Sequence, residues 1–136
     1  MDQDPIRVLS VDDHALLREG IASIITYQPD MLLVSQASGG REAIQQYRQH
    51  RPDVTLMDLR MPDLSGIDEL ISIRAEFPEA RIIILTTFES DEEVRRAMEA
   101  GAHGYLLKSL PPKQLVQFIR DVHEGKKAIG PGARVS

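Results

Sequence analysis

Residues 54–62 read VTLMDLRMP, an apolar run that stops at Asp58. A continuous apolar run of this length is typical of a strand that is buried on both faces of a parallel sheet. A carboxylate is costly to bury, so its place at the end of such a strand needs a reason. Asp58 is either a turn residue at the strand end or part of a site that needs an anion.

Similar runs recur along the chain and alternate with segments of helical spacing. We predict strands at 6–11, 32–38, 54–57, 81–87 and 104–108. Apolar residues spaced three and four apart predict helices at 14–27, 40–49, 65–76, 91–100 and 112–124. This alternation predicts an α/β fold, a doubly wound five-stranded parallel sheet with helices on both faces.

The composition describes one ordinary globular domain, which we assign to residues 1–125 of the 136. Residues 126–136, KKAIGPGARVS, are predicted to be a linker or disordered tail outside the core. The absence of cysteine excludes disulfides and thiolate metal ligands. A net charge of −5 argues against a nucleic-acid surface. Without a membrane-length apolar run or a signal-peptide pattern, we expect a cytoplasmic protein with no membrane contact.

Polar side chains follow four of the predicted strands at the same end. Asp12 and Asp13 follow the first strand, Asp58 ends the third, Thr86 the fourth and Lys108 the fifth. Ligands of open parallel sheets bind beyond these carboxyl ends. Three converging carboxylates favour a hard divalent cation such as Mg²⁺. Together with a hydroxyl and an ammonium group, they form a set suited to phosphoryl transfer onto a carboxylate.

Each of these residues also has a simpler interpretation. Asp58 alone is most often a turn residue, and the acidic pair alone caps the next helix about as often as it binds metal. The joint placement at one edge of the sheet favours the site. His14 is interpreted as an exposed residue at a helix start and not as a metal ligand.

With these residues assembled, the chain resembles a response-regulator receiver domain, the CheY-like phosphoacceptor module of two-component signalling, over residues 5–125. The segment DLRMPDLSG matches the family motif of phosphoacceptor, proline and glycine at Asp58, Pro62 and Gly66. Lys108 matches the lysine of the family and Tyr105 its switch aromatic.

The resemblance implies strand order 2-1-3-4-5 and a defined set of roles. One residue of the Asp12–Asp13 pair, Asp58 and the backbone carbonyl of Arg60 would bind Mg²⁺. The phosphoryl donor would be a phosphohistidine on a sensor histidine kinase. Phosphorylation of Asp58 would draw the hydroxyl of Thr86 inward, Tyr105 would turn inward, and the face formed by strands four and five would change.

The segments SVDDHALLREGI and LTTFESDEEVRRAMEAGAHGYLLKSL resemble the NarL/FixJ (LuxR-type) subfamily of transcription regulators. The resemblance implies a phosphorylation-dependent homodimer that contacts DNA only through a C-terminal helix-turn-helix domain, which is missing from this sequence. A stand-alone single-domain receiver stays open as an alternative, as does a receiver-like binding module that is not regulated by phosphorylation.

Two other functions are disfavoured by single features. A nucleotide-binding protein of this fold needs a glycine-rich loop after the first strand, where this chain has the acidic VDDHA. An aspartyl-phosphate phosphatase needs a general acid two residues after its nucleophile, where Arg60 stands. The chain is therefore expected to be a phosphoacceptor and not an enzyme. Arg60 and Phe88, which both flank the site, are hypothesised to hinder hydrolytic water and to prolong the phosphorylated state.

Overall fold

The computed structural model describes residues 4–87 and 90–129. Five predicted strands are present as β1 (Ile6–Val11), β2 (Met31–Ala37), β3 (Val54–Asp58), β4 (Ile82–Thr86) and β5 (Gly104–Leu107). The helices are α1 (Ala15–Thr26), α2 (Gly40–His50), α3 (Gly66–Glu76), α4 (Asp91–Glu99) and α5 (Pro112–His123). All five strands are parallel in the order β2-β1-β3-β4-β5, which confirms the predicted fold.

Alternate side chains of the strands supply two separate apolar layers. On β4, Ile82 and Ile84 pack with α2, α3 and α4, whereas Ile83 and Leu85 pack with α1 and α5. Every residue of β3 and β4 is buried, as a sheet covered on both faces requires. The covered centre of the sheet fixes the carboxyl ends of β1, β3, β4 and β5 side by side.

A sixth strand corrects the predicted boundary of the domain. Residues Ala128 and Ile129 form β6, which pairs in parallel with β5. Ala128 is fully buried, and its amide donates to the carbonyl of His103 at 2.8 Å. Gly104 makes this close approach feasible, because a Cβ there would lie 2.6 Å from the carbonyl oxygen of Ala128. The prediction of a linker or tail from residue 126 is therefore wrong for 128–129, and residues 130–136 lie outside the described part.

None of the helices in residues 4–87 and 90–129 has both the length and the apolar character needed to cross a bilayer.

Candidate functional site

The carboxyl ends of four adjacent strands bring the predicted polar residues together. Asp12, Asp58 and Thr86 are each at most 3% exposed, and the side chain of Lys108 is 7% exposed. The backbone fixes this arrangement locally. The amide of Asp12 donates to Ala37 on β2, and the amide of Lys108 donates to the carbonyl of Thr86 at 2.7 Å.

Lys108 joins the two buried carboxylates. Its Nζ lies 2.9 Å from Oδ2 of Asp12 and 3.0 Å from Oδ1 of Asp58. Burial opposes the charge of Lys108, but the two carboxylates more than offset it, so its pKa is raised. Lys108 is therefore a firmly held ammonium between two acids from different strands.

Lys108 offsets only part of the effect of burial on the carboxyl of Asp58. Burial raises its pKa, the hydrogen bond from Lys108 opposes that rise, and the charge of Asp12 adds to it. Oδ1 of Asp58 accepts hydrogen bonds from Nζ of Lys108 and, at 3.3 Å, from the amide of Arg60. The buried Oδ2 has no hydrogen-bond partner among the described residues. A buried carboxylate oxygen without a partner is costly unless a ligand satisfies it.

The acidic pair supplies one fixed and one more accessible carboxylate. Oδ1 of Asp12 accepts from the amide of His14 at 2.8 Å, and its Oδ2 faces Lys108. The side chain of Asp13 is 29% exposed and lies 3.3 Å from Nδ1 of His14. Ligand atoms of Asp12, Asp13, His14 and Asp58 lie within 4.8 Å of one another. His14 starts α1 with an exposed side chain, as predicted, but its ring also contacts both acids.

Arg60 turns its side chain away from Asp58 towards α4. Its Nη2 lies 3.2 Å from Oε2 of Glu93, in the first turn of that helix. The loop between β3 and α3, which contains Arg60, is closed by a hydrogen bond from the amide of Gly66 to the carbonyl of Leu59 at 2.7 Å. A Cβ at Gly66 would lie 2.3 Å from the carbonyl oxygen of Asp58, so α3 packs directly beneath the site. Phe88, the other residue of the hydrolysis hypothesis, lies outside the described residues.

Tyr105 is fully buried against the layer that contains Ile84, Val94 and Ala97. The resemblance implies that this aromatic turns inward when Asp58 is phosphorylated. In this structure the ring lies inside the fold, against α4.

Two contacts at the site carry no motif signal in the sequence. Arg18 on α1 donates through Nη1 to the carbonyl of Asp12 at 2.6 Å, and Glu93 pairs with Arg60. Neither residue stands at a strand end, which is the feature that identified the others. The i, i+4 spacing between His14 and Arg18 is the one pattern that places Arg18 near the acidic loop.

The sequence is similar to those of known proteins. The family model for the response regulator receiver domain matches residues 8–120. The chain is 41% identical over 122 residues to the oxygen regulatory protein NreC of Staphylococcus epidermidis (strain ATCC 12228), covering 89% of this chain and 56% of that protein. It is 42% identical over 126 residues to the uncharacterized transcriptional regulatory protein YxjL of Bacillus subtilis (strain 168), covering 93% and 58%.

The fold is also similar to that of a solved structure. A two-component response regulator of the LuxR family from Aurantimonas sp. SI85-9A1 superposes with a TM-score of 0.91 at 37% identity, covering 95% of this chain and 92% of that one. The chain spans a little over half the length of NreC and YxjL. The matched family model covers the acidic pair, the strand-end aspartate and the paired lysine, and this chain belongs to the response regulator receiver domain family.

Proposed function

We propose that Asp58 accepts a phosphoryl group from a phosphohistidine on a sensor histidine kinase. The observation that carries this assignment is the state of the Asp58 carboxyl. It is buried next to the acidic pair, Lys108 holds one of its oxygens, and the other oxygen has no hydrogen-bond partner among the described residues. A residue that only forms a turn at a strand end needs neither a buried carboxylate nor a paired ammonium.

The transfer needs little covalent chemistry from the protein. A carboxylate oxygen of Asp58 attacks phosphorus, the phosphorus–nitrogen bond of the donor breaks, and the imidazole leaves with the electron pair and takes up a proton. Lys108 lies close enough to Asp58 to neutralise charge on the incoming phosphoryl oxygens. Thr86, on the neighbouring strand, supplies the hydroxyl that binds the group after transfer.

The residues present fit a bound Mg²⁺. When ionised, Asp12, Asp13 and Asp58 carry three negative charges against the ammonium of Lys108 and the nearby guanidinium of Arg18, so the site keeps a surplus of negative charge. Asp13, Asp58 and the backbone carbonyl of Arg60 would hold the ion, with Asp12 fixed behind them by Lys108. When bound, Mg²⁺ supplies neutralisation of the phosphoryl oxygens.

Phosphorylation would then bias β4, β5 and α4 towards a second arrangement. The phosphoryl group brings nearly two negative charges and strong acceptors to a site next to Thr86 and Lys108. To turn a mostly inactive population mostly active, it must favour the active arrangement by about 5 kcal/mol. Tyr105, buried beside α4, would report which arrangement is populated.

The names of the relatives support a wider role, which is part of the same proposal. YxjL is named a transcriptional regulatory protein, and the Aurantimonas structure is a LuxR-family response regulator. We infer that this receiver acts in the cytoplasm, forms a homodimer when phosphorylated, and controls transcription through a DNA-binding domain outside this sequence. Size-exclusion chromatography with and without beryllofluoride tests the dimer, and an unchanged elution volume would contradict it.

Intact-mass spectrometry tests the central assignment. Incubation with acetyl phosphate and Mg²⁺ should add one phosphoryl mass to the wild type. It should add none to Asp58→Asn and none when Mg²⁺ is chelated. Asp68→Asn, which changes an exposed aspartate on α3, is the matched control and should be phosphorylated like the wild type. An unmodified wild type would contradict the proposal and favour a binding module that is not phosphorylated.

A further inference from the structure

Arg18 ties the helix that follows the acidic pair back to the pair itself. It lies half-buried on the first turns of α1, and its Nη1 donates to the backbone carbonyl of Asp12 at 2.6 Å. His14, the N-cap residue of α1, makes no side-chain cap hydrogen bond. The guanidinium group of Arg18 therefore links α1 to the β1–α1 loop where a capping side chain does not.

This hydrogen bond controls more than the position of one carbonyl. The carbonyl of Asp12 belongs to the peptide plane that joins Asp12 to Asp13, so holding it fixes the direction in which Asp13 leaves the backbone. The other polar atoms of Asp12 are also held. Its amide donates to Ala37 at 3.0 Å, Oδ1 accepts from the His14 amide at 2.8 Å, and Oδ2 faces Lys108 at 2.9 Å.

The side chain of Asp13 makes fewer contacts than that of Asp12. Its Oδ1 lies 3.3 Å from Nδ1 of the exposed His14 ring. The orientation of this carboxylate towards Asp58 therefore depends mainly on the backbone of the loop. Arg18 is the side chain that fixes that backbone from the helix side.

We propose that Arg18 is a positioning residue for the metal ligands. It holds the Asp12–Asp13 peptide so that both carboxylates face Asp58, and it thereby raises the affinity of the unphosphorylated protein for Mg²⁺. This inference rests on the proposed function, because it assumes that the acidic cluster binds Mg²⁺.

The sign of the effect separates positioning from simple electrostatics. Arg18 is a cation near a cluster of carboxylates, so by charge alone its removal should strengthen binding of a second cation. Positioning predicts the opposite. Loss of groups that orient metal ligands commonly weakens metal affinity by about 10- to 100-fold, and we expect about tenfold for the loss of one hydrogen bond to the backbone.

Isothermal titration of the unphosphorylated chain with Mg²⁺ gives this affinity directly. Arg18→Met should bind about tenfold more weakly than the wild type. Arg18→Lys, which keeps a donor and the charge, should recover at least part of the loss. Arg95→Met is the matched control, because it removes the same charge from an exposed position on α4 where, within the described residues, Arg95 pairs with Glu92 and Glu99. It should bind Mg²⁺ at least as tightly as the wild type.

A kinetic readout tests the same point independently. In Arg18→Met, the Mg²⁺ concentration for half-maximal phosphorylation by acetyl phosphate should rise about tenfold, while the rate at saturating Mg²⁺ stays near that of the wild type. Circular dichroism in the presence of chelator checks that the variant is folded. If Arg18→Met does not fold, Arg18→Gln is titrated instead and judged by the same criteria.

Equal or tighter Mg²⁺ binding by Arg18→Met would overturn the assignment. So would a loss that Arg95→Met shares, because that loss would not depend on the hydrogen bond between Arg18 and Asp12. A wild type that neither binds Mg²⁺ nor gains a phosphoryl group contradicts the proposed function itself. A wild type that does both, beside an Arg18→Met with unchanged affinity, contradicts only the role of Arg18.

Discussion

Glu69 is a buried acid that forms no salt bridge within the described residues, and we predict that it makes the stability of the fold depend on pH near neutrality. The residue lies in the first turn of α3, is 1% exposed, and packs against Gly40 at the start of α2. Its Oε2 has no hydrogen-bond partner among the described residues. Burial raises its pKa from 4.5 to about 7, the charge of Asp63 adds to the rise, and Arg48 opposes it.

The direction of the pH effect follows from which state holds the proton. Between pH 4.5 and about 7 the folded protein keeps a proton on Glu69 that the unfolded chain has released. The free energy of unfolding therefore falls as the pH rises through this window, and it levels off above the folded pKa. The gap from 4.5 to about 7, at about 1.4 kcal/mol per pKa unit, corresponds to a loss of about 3 kcal/mol.

Replacing Glu69 by glutamine removes this titration at nearly constant shape. We expect Glu69→Gln to gain stability relative to the wild type as the pH rises, with a difference that grows by about 3 kcal/mol from about pH 4.5 to about pH 8. Urea unfolding followed by circular dichroism at several pH values measures the difference. Glu19→Gln, at an exposed position of α1, is the control and should stay parallel to the wild type.

A difference between Glu69→Gln and the wild type that is constant across this pH range would refute the reasoning. It would mean that Glu69 is ionised in the folded protein and is stabilised by a group other than Arg48. A direct titration of the Glu69 carboxyl carbon by nuclear magnetic resonance would decide the matter without reference to stability. An inflection below pH 5 would contradict the prediction, and one near pH 7 would support it.

Three further predictions concern the site and its edges. Lys108→Met should cost about 3 kcal/mol without Mg²⁺, because it leaves two buried carboxylates unpaired, and thermal unfolding should show that Mg²⁺ restores part of the loss. Gly104→Ala should separate β6 from β5, and hydrogen exchange of the β6 amides should become faster. Its matched control is Gly20→Ala, where an added Cβ meets nothing within 4 Å; this variant should stabilise α1 by about 1 kcal/mol. The double variant Arg60→Asn, Phe88→Ala should lose its phosphoryl group faster than the wild type in a dephosphorylation time course, and an unchanged half-life would end the hydrolysis hypothesis.

The strand-end residues could be predicted from sequence for a simple geometrical reason. In a parallel sheet all carboxyl ends lie at one edge, so placing Asp12, Asp58 and Lys108 after three strands already places them near each other. Strand order places Lys108 at the same edge as both acids, and the reach of its side chain completes the two ion pairs. Their roles in phosphoryl transfer do not follow from geometry and stay predictions.

Features that depend on packing between elements could not be predicted in this way. A strand of two residues has no periodicity, so β6 leaves no pattern, and its docking depends on the space beside Gly104. The hydrogen bond of Arg18 ends on a backbone carbonyl, which every residue possesses, so no residue type marks its target. Glu69 reads as an ordinary polar residue at a helix start until the position of α2 is known.

Asp58 and Glu69 show two different ways in which this fold buries an acid. Asp58 lies beside the ammonium of Lys108 and close to further carboxylates, and one of its oxygens has no hydrogen-bond partner among the described residues. For Glu69, the charge of Arg48 does not offset the effect of burial, so the residue stays protonated up to about pH 7. The α3 helix connects them, since Gly66 touches the carbonyl of Asp58 and Glu69 follows in the same turn. Burial alone therefore does not separate the two acids; the ammonium of Lys108 beside Asp58 does.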